Sequence, residues 1–187
     1  MRLAAREGAI LSTLGLREIA REAGLNHNTF YRHFEDLDDL GRAAAENIAA
    51  QLMQGLGQIR RNSVRHADAT VGAVSFFLDF ARDNSELIMV GLRELHCHNS
   101  PMRKIMQRVL DDIAADSVKQ ILDMDLVRGL EREPLGQATS AITYYMFYRA
   151  LDYLERPRKR KEIGEEIVAF IRAQFLGRIA LRKSGAR

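Results

Sequence analysis

A run of polar side chains directly behind Gly24 holds the residues with the most evident capacity for chemistry. Seven side chains that donate or accept hydrogen bonds fall within residues 26–33: Asn26, His27, Asn28, Thr29, Tyr31, Arg32 and His33. An asparagine amide pairs a donor with an acceptor, a threonine combines a methyl group with a hydroxyl, and tyrosine and histidine reach anionic oxygens. A buried helix would not carry so many such groups, so the composition favours an exposed surface that makes many hydrogen bonds.

Two short helix patterns enclose this run. Apolar spacing predicts a helix over Leu16–Ala23, Gly24 ends it, and Asn26 caps a second helix that reaches about His33. The small core of the pair is predicted from its apolar residues: Ile19, Ala20, Leu25, Phe30 and Phe34. Two helices joined by a glycine turn form a helix-turn-helix, whose second helix can lie in the major groove of DNA and face the base edges.

Spacing alone leaves a plainer alternative open, a polar helical hairpin on some other all-helical protein, because glycine-linked helix pairs are common. Charge does not decide the matter. The first 40 residues hold five arginines and seven acidic residues, although the whole chain of 187 residues carries a net charge of +3. The segment is therefore not a basic patch of the kind that binds nucleic acid through charge alone.

The order of residues here resembles the DNA-binding domain of the TetR family of bacterial transcriptional regulators. The resemblance covers residues 10 to about 45 and rests on Leu16–Leu25, Thr29–Phe34 and Asp38–Leu40. It implies an all-α fold with a helix-turn-helix DNA-binding domain at residues 1–45 and a larger ligand-binding and dimerisation domain at residues 46–187. It also implies contacts to double-stranded DNA from Arg17, Asn26, His27, Asn28, Thr29, Tyr31 and His33.

The sequence departs from that family in two places. About 14 residues precede the motif where the family has a full first helix, so we expect a truncated first helix from about Arg2 to Leu11. Glu35 and Asp36 stand where the family often has lysine. Both differences reduce the positive charge expected at a DNA-binding face, and they support an alternative in which the chain is a helical ligand-binding protein without DNA-binding activity.

Caps and apolar spacing predict further helices along the rest of the chain. Their expected ranges are Asp36 or Leu37 to about Arg61, Asp68–Arg82, Glu86 to about His96, Ser100 to about Met124, Pro134 to about Leu154, and Glu162 to about Leu181. The like-charged run Arg156–Lys161 beside Pro157 predicts a solvated linker.

Large, flexible apolar side chains are abundant between residues 37 and 154, as a pocket for a small hydrophobic effector requires. Candidate ligand-binding residues are Phe76, Phe77, Phe80, Met89, Leu92, Arg93, Met106, Leu110, Met146 and Phe147. For any single apolar residue of this set ordinary core packing is the favoured interpretation, since every helix of such a body buries one stripe. Leu92–Leu95, Ser100–Arg103 and Phe30–Gly41 resemble the TetR branch that represses fatty-acid biosynthesis and senses acyl-CoA. That resemblance implies an acyl-CoA effector with its phosphates near Arg93 or Arg103, whereas pairing of Arg93 with Glu94 or a surface acid is the alternative.

Regular apolar stripes on the last two helix patterns are typical of the seam of a helical bundle. The TetR resemblance implies a homodimer through these helices, with two heads that read a near-palindromic operator together. Candidate interface residues are Ala138, Ile142, Tyr145, Ile163, Ile167, Phe170, Ile171 and Phe175. Whether the effector releases the operator or tightens the complex stays open, as does regulation of a drug-efflux or catabolic gene.

The segment His96-Cys97-His98 raises the possibility of a zinc site or a reactive thiol. Successive helical residues point about 100 degrees apart, so three in a row do not converge on one ion, and a helix end with two histidines is the plainer interpretation. We therefore expect no metal, no cofactor and no enzymatic activity. One cysteine, no secretory leader and no long apolar run predict a cytoplasmic protein without a membrane segment.

Overall fold

The computed structural model describes residues 8, 11–24, 26–63, 66–127 and 129–185, and these form helices and turns without a strand. The all-α prediction is confirmed. Eight α-helices lie within the described ranges: α1 Leu16–Glu22, α2 His27–Phe30, α3 Leu37–Asn62, α4 His66–Asp83, α5 Ser85–His96, α6 Arg103–Asp123, α7 Arg132–Glu155 and α8 Arg160–Gly185. Short 3-10 helices at Leu11–Thr13 and Pro157–Lys159 precede α1 and α8. Across these residues no helix is long and apolar enough to cross a membrane.

The chain divides into two compact units. The first comprises Met1–Ala50 and Asn84–Val109, and the second comprises Gln51–Asp83 and Leu110–Arg187. A division of function near residue 45 stays a prediction, and the first compact unit includes α5 in addition to the helix-turn-helix.

The second unit is built around α8, which packs against α4 and α7. Leu135, Ile163 and Ile167 are wholly buried, because the apolar stripes of these helices face one another. Aromatic rings join the same helices in pairs: Phe77 meets Phe147 edge to face with ring centroids 5.3 Å apart, and Tyr145 stacks on Phe170 at 4.0 Å.

The predicted run Arg156–Lys161 is solvated as expected, since five of its six residues are exposed, but it is helical rather than an irregular linker. The run forms the 3-10 helix Pro157–Lys159 and the first turn of α8. Arg160 donates to the Ser75 carbonyl at 3.2 Å and pairs with Asp79 at 2.8 Å, and Lys159 pairs with Glu162 at 3.1 Å. These acceptors offset the repulsion that the like charges alone predict. The expected first helix from Arg2 falls largely outside the described residues.

Most of the predicted interface residues do not lie at the surface. Five of the eight are buried within the single chain, with exposed fractions of 8% or less: Ala138, Ile142, Ile163, Ile167 and Ile171. Their side chains form the packing of α7 and α8 inside the second unit, so they are corrected from interface to core residues. Tyr145, Phe170 and Phe175 are only partly buried and stay candidates.

Candidate functional site

The turn between α1 and α2 depends on Gly24, whose φ of +65° falls in the left-handed region that side chains with a Cβ disfavour. Its N–H donates to the Arg21 carbonyl at 3.0 Å, which ends α1. Asn26 then caps α2, because its Oδ1 accepts a hydrogen bond from the Asn28 N–H at 2.9 Å. Gly24 and Asn26, which the sequence predicts as the end of the first helix and the cap of the second, therefore form the turn between α1 and α2.

The inner side of this helix pair is aromatic. Phe30 is 4% exposed and contacts two other rings, Phe34 at a centroid distance of 5.6 Å and Tyr31 edge to face at 5.7 Å. Ala20 of α1 is buried as well. Since α2 has one buried face, its remaining residues point toward solvent.

Four of the predicted DNA-contacting side chains are exposed together on this segment and on α1: Arg17, Asn28, Tyr31 and His33. Tyr31 is 54% exposed although it is a large aromatic residue. Thr29 is half-buried, and its hydroxyl accepts from Arg32 Nη2 at 3.4 Å. Asn26 is exposed, and its side-chain oxygen accepts the cap hydrogen bond while its amide N–H groups can donate to a partner. The side chain of His27 and the predicted core residue Leu25 lie outside the described residues.

The acidic residues that follow the helix-turn-helix accept backbone hydrogen bonds around the start of α3. Asp36 accepts from the Asp39 N–H at 2.8 Å, directly before α3, and Asp39 accepts from the Glu35 N–H at 3.1 Å. Asp39 also pairs with Arg42. These carboxylates therefore satisfy N–H groups at the start of α3 and sit at the positive end of its dipole.

Glu94, which the sequence offered only as an alternative partner for Arg93, is instead a buried hydrogen-bond acceptor. It is 1% exposed, and its Oε1 accepts the Leu11 N–H at 2.5 Å while its Oε2 accepts the Ser100 hydroxyl. Ser100 Oγ in turn accepts the Met102 N–H at 3.1 Å. One buried carboxylate thus joins the 3-10 helix in front of α1 to the loop between α5 and α6, inside the first unit.

A cavity of about 400 Å³ lies within the second unit. Helices α3, α4, α6, α7 and α8 all contribute to its wall, which is mostly apolar and includes Leu52, Phe77, Ile113, Phe147 and Phe175. Buried hydroxyls at Ser117, Thr139 and Thr143 supply polar positions. A mostly apolar cavity with a few polar fixtures is typical of a site for a small hydrophobic ligand.

Charge on the cavity wall has one sign. Among the described lining residues, Arg60 and Arg172 are charged and no acidic side chain is present. Arg60 donates from Nη2 to Ser117 Oγ at 3.2 Å and from Nη1 to Gln120 Oε1. Burial lowers the pKa of the Arg60 guanidinium to about 10, against an opposing effect of Asp116. At neutral pH the group is therefore still a cation, in surroundings that disfavour its charge.

The structure places three of the predicted ligand-binding residues on this cavity: Phe77, Met146 and Phe147. The other seven do not line it: Phe76, Phe80, Met89, Leu92, Arg93, Met106 and Leu110. Four of those, Met89, Leu92, Arg93 and Met106, belong to the first unit. Arg60 and Ser117 were missed because nothing in their sequence neighbourhood marks a solitary arginine or serine as facing a cavity.

The His96-Cys97-His98 segment ends α5 and forms the following turn. His98 Nδ1 lies 3.1 Å from Arg103 Nη1, so Arg103, proposed from sequence as a phosphate contact, has a neighbour within its own unit. In the part of the chain that the structure describes, no group of three or more histidine, cysteine or acidic side chains is placed to hold a metal ion.

Comparison with known proteins agrees with this geometry. Residues 1–44 match the family model described as bacterial regulatory proteins, tetR family. The fatty acid degradation regulator FadR from Bacillus halodurans has a similar structure, with a TM-score of 0.72, 13% identity and coverage of 89% of each chain. FadR from Bacillus subtilis, solved in complex with stearoyl-CoA, gives a TM-score of 0.68 and 14% identity over 92% of this chain and 94% of that one.

A third structure, RolR without ligand, gives a TM-score of 0.54 and 17% identity over 91% of this chain and 85% of that one. At such identities the likeness concerns the fold. Residues 1–44 thus match the tetR family of bacterial regulatory proteins, as the sequence resemblance predicted, and the described chain has an all-helical fold similar to those of FadR and RolR.

Proposed function

We propose that this chain is a cytoplasmic, DNA-binding transcriptional repressor whose operator affinity is controlled by a small hydrophobic effector. The observation that carries the proposal is the exposed polar surface of the helix-turn-helix: Asn28, Tyr31 and His33 project from a segment whose other side is closed by Phe30. Asparagine can read an adenine edge, and tyrosine and histidine can bind phosphates on either side.

The alternative of a ligand-binding protein without a DNA role loses part of its support. One of its two arguments was the acidic run after the helix-turn-helix, and in the structure Asp36 and Asp39 accept backbone hydrogen bonds around the start of α3. Carboxylates that are held by N–H groups and by Arg42 oppose a phosphate backbone less than free ones would.

The effector site of this proposal is the cavity in the second unit. Its wall includes residues of α3, the helix that begins directly after the helix-turn-helix. An effector that binds one arrangement of α3 better than another therefore changes operator affinity, and a coupling of about 1–3 kcal/mol gives a useful switch. An acyl-CoA is one candidate, because a neighbour in structure was solved with stearoyl-CoA.

The chain is proposed to act as a homodimer, because two weakly binding helix-turn-helix segments gain affinity when both bind one near-palindromic operator. Exposed large hydrophobic side chains support the last two helices as the interface. Four of the seven in the described part of the chain lie on α7 and α8: Tyr144, Tyr148, Leu176 and Leu181. These exposed residues, with Tyr145, Phe170 and Phe175, replace the buried residues that the sequence suggested.

Fluorescence anisotropy with the DNA upstream of the chain's own gene tests the proposal. We expect saturable binding that survives excess unrelated DNA and weakens as salt rises, because phosphate contacts release counterions. Addition of a hydrophobic effector should shift the binding curve. Binding that unrelated DNA competes away completely contradicts the proposal, as does the absence of any binding.

A further inference from the structure

The wall of the cavity in the second unit carries the cation Arg60, and no acidic side chain accompanies it among the described lining residues. Arg60 carries five N–H donors, and the described contacts of its guanidinium are Gln120 Oε1 and Ser117 Oγ, both neutral. Asp116 influences Arg60 from a distance, but in the described residues no carboxylate lies within ion-pair range of it. Asp116 instead accepts from Gln120 Nε2 at 2.6 Å. A partly buried guanidinium held only by neutral acceptors favours an additional anionic partner.

The two arms of the guanidinium face different surroundings. Gln120, the partner of Nη1, is not part of the cavity wall, whereas Ser117, the partner of Nη2, is. The Nη2 edge of Arg60 and the Ser117 hydroxyl therefore adjoin at the cavity. Both can donate a hydrogen bond to one carboxylate, and such charge-assisted bonds are the strong ones.

Resting on the proposed regulatory function, we propose that the effector is an amphiphile with one carboxylate, which Arg60 and Ser117 bind while its apolar body fills the cavity. Arg60 is then the residue that determines specificity. The absence of acidic side chains among the described lining residues agrees with an anionic ligand. Thr139 and Thr143 also line the cavity and add hydroxyl groups to its wall.

The volume of the cavity favours a free acid over a thioester. About 400 Å³ is near the lower end of the roughly 300–1,000 Å³ that small-molecule sites occupy. This volume suits one acyl chain with a compact head group. The nucleotide of a coenzyme A thioester would have to lie outside the cavity, and the thioester would present a neutral carbonyl to Arg60 instead of a carboxylate. Arg172 also lines the cavity but is exposed, so water already solvates its charge.

Isothermal titration calorimetry of the full chain with decanoate, decanol and decanoyl-CoA at neutral pH tests this proposal without DNA. These probes share one chain length and differ in the head group. We expect decanoate to bind about 10- to 100-fold more tightly than decanol, the range that hydrogen bonds to a charged group give. Equal binding of decanoate and decanol, tighter binding of decanoyl-CoA, or no binding of any probe overturns the proposal.

Protein variants locate the head group. Arg60→Gln should remove most of the preference for decanoate over decanol, and Arg60→Lys should restore part of it. Arg178→Gln is the matched control, because Arg178 also binds a glutamine, Gln174 Oε1 at 2.7 Å, and does not line the cavity. An unchanged decanoate preference in Arg60→Gln, or its loss in Arg178→Gln or in Arg172→Gln instead, overturns the assignment.

Failure of this inference and failure of the regulatory function are distinguishable. A chain that binds operator DNA but shows no carboxylate preference contradicts only the ligand assignment. A chain that binds decanoate through Arg60 but no operator contradicts only the regulatory function. If Arg60→Gln does not fold, comparison of decanoate with decanol on the wild-type chain and on Arg60→Lys still decides the question.

Discussion

Removal of the Glu94 carboxylate tests how the helix-turn-helix is held within the first unit. In Glu94→Ala, the Leu11 N–H and the Ser100 hydroxyl lose their acceptor in a place that water reaches poorly, since Glu94 is 1% exposed. Each buried donor left without a partner costs about 1–3 kcal/mol, which gives roughly 2–6 kcal/mol for two. The variant also no longer has to desolvate a carboxylate, which offsets part of the loss. We expect a net loss of about 2–4 kcal/mol in the free energy of unfolding.

Urea unfolding followed by far-ultraviolet circular dichroism measures this quantity, because most of the described residues are helical. Glu46→Ala is the matched control, an exposed glutamate on α3 in the same unit, and its effect should stay within about 0.5 kcal/mol. Glu94→Gln should fall between the two, because its amide keeps one acceptor oxygen. If Glu94→Ala lowers the free energy of unfolding by less than about 1 kcal/mol, this carboxylate is not a main stabilising contact of the first unit.

Three further outcomes follow from the same structure. A Cβ on Gly55 would lie 2.0 Å from Phe76 Cζ, so Gly55→Ala should destabilise by about 1–3 kcal/mol, whereas Gly136→Ala, with no atom within 4 Å, should stabilise slightly in thermal unfolding. The pKa of Asp38 is raised above its usual 3.8, mainly by burial and then by the charges of Asp36 and Glu94. The folded chain therefore disfavours the ionised carboxylate, and the free energy of unfolding rises as the pH falls through the raised pKa. Asp38→Asn should therefore be more stable than wild type at pH 7, and urea titrations should show the difference shrinking toward pH 4; a constant difference would contradict the assignment. Tyr148→Asp should shift the chain toward monomer in light scattering, while Leu122→Asp, an exposed apolar position on α6, should not; equal behaviour of the two variants would argue against α7 and α8 as the interface.

The helix-turn-helix is the part of the fold that sequence reasoning predicts best, because its signals are local. Gly24 provides a backbone conformation that few residues adopt, and Asn26 provides a cap within two residues of its acceptor. Phe30 and the exposed positions around it follow from helical periodicity. Each of these features depends on neighbours in the chain rather than on distant segments.

Features that depend on distant segments were not predictable in this way. Glu94 can be buried because the Leu11 N–H, 83 residues away in the chain, and the Ser100 hydroxyl, 6 residues away, donate to its carboxylate. From its own neighbours alone, a glutamate near a helix end is expected to be exposed. Arg60 faces the cavity because α6 brings Ser117 to it, 57 residues along the chain. The apolar stripes of α7 and α8 predicted burial correctly but could not distinguish the interior of one chain from an interface between two, since both bury the same residue types.

The most direct test of the central claim is the ratio of affinities for operator and unrelated DNA in Asn28→Ala, measured by anisotropy beside wild type and Glu46→Ala. If the exposed face around α2 reads base edges, Asn28→Ala should weaken operator binding by about 5- to 150-fold, the cost of one lost paired contact, and leave the affinity for unrelated DNA nearly unchanged. Equal operator affinities for Asn28→Ala, Glu46→Ala and wild type would contradict the claim that this face recognises DNA sequence.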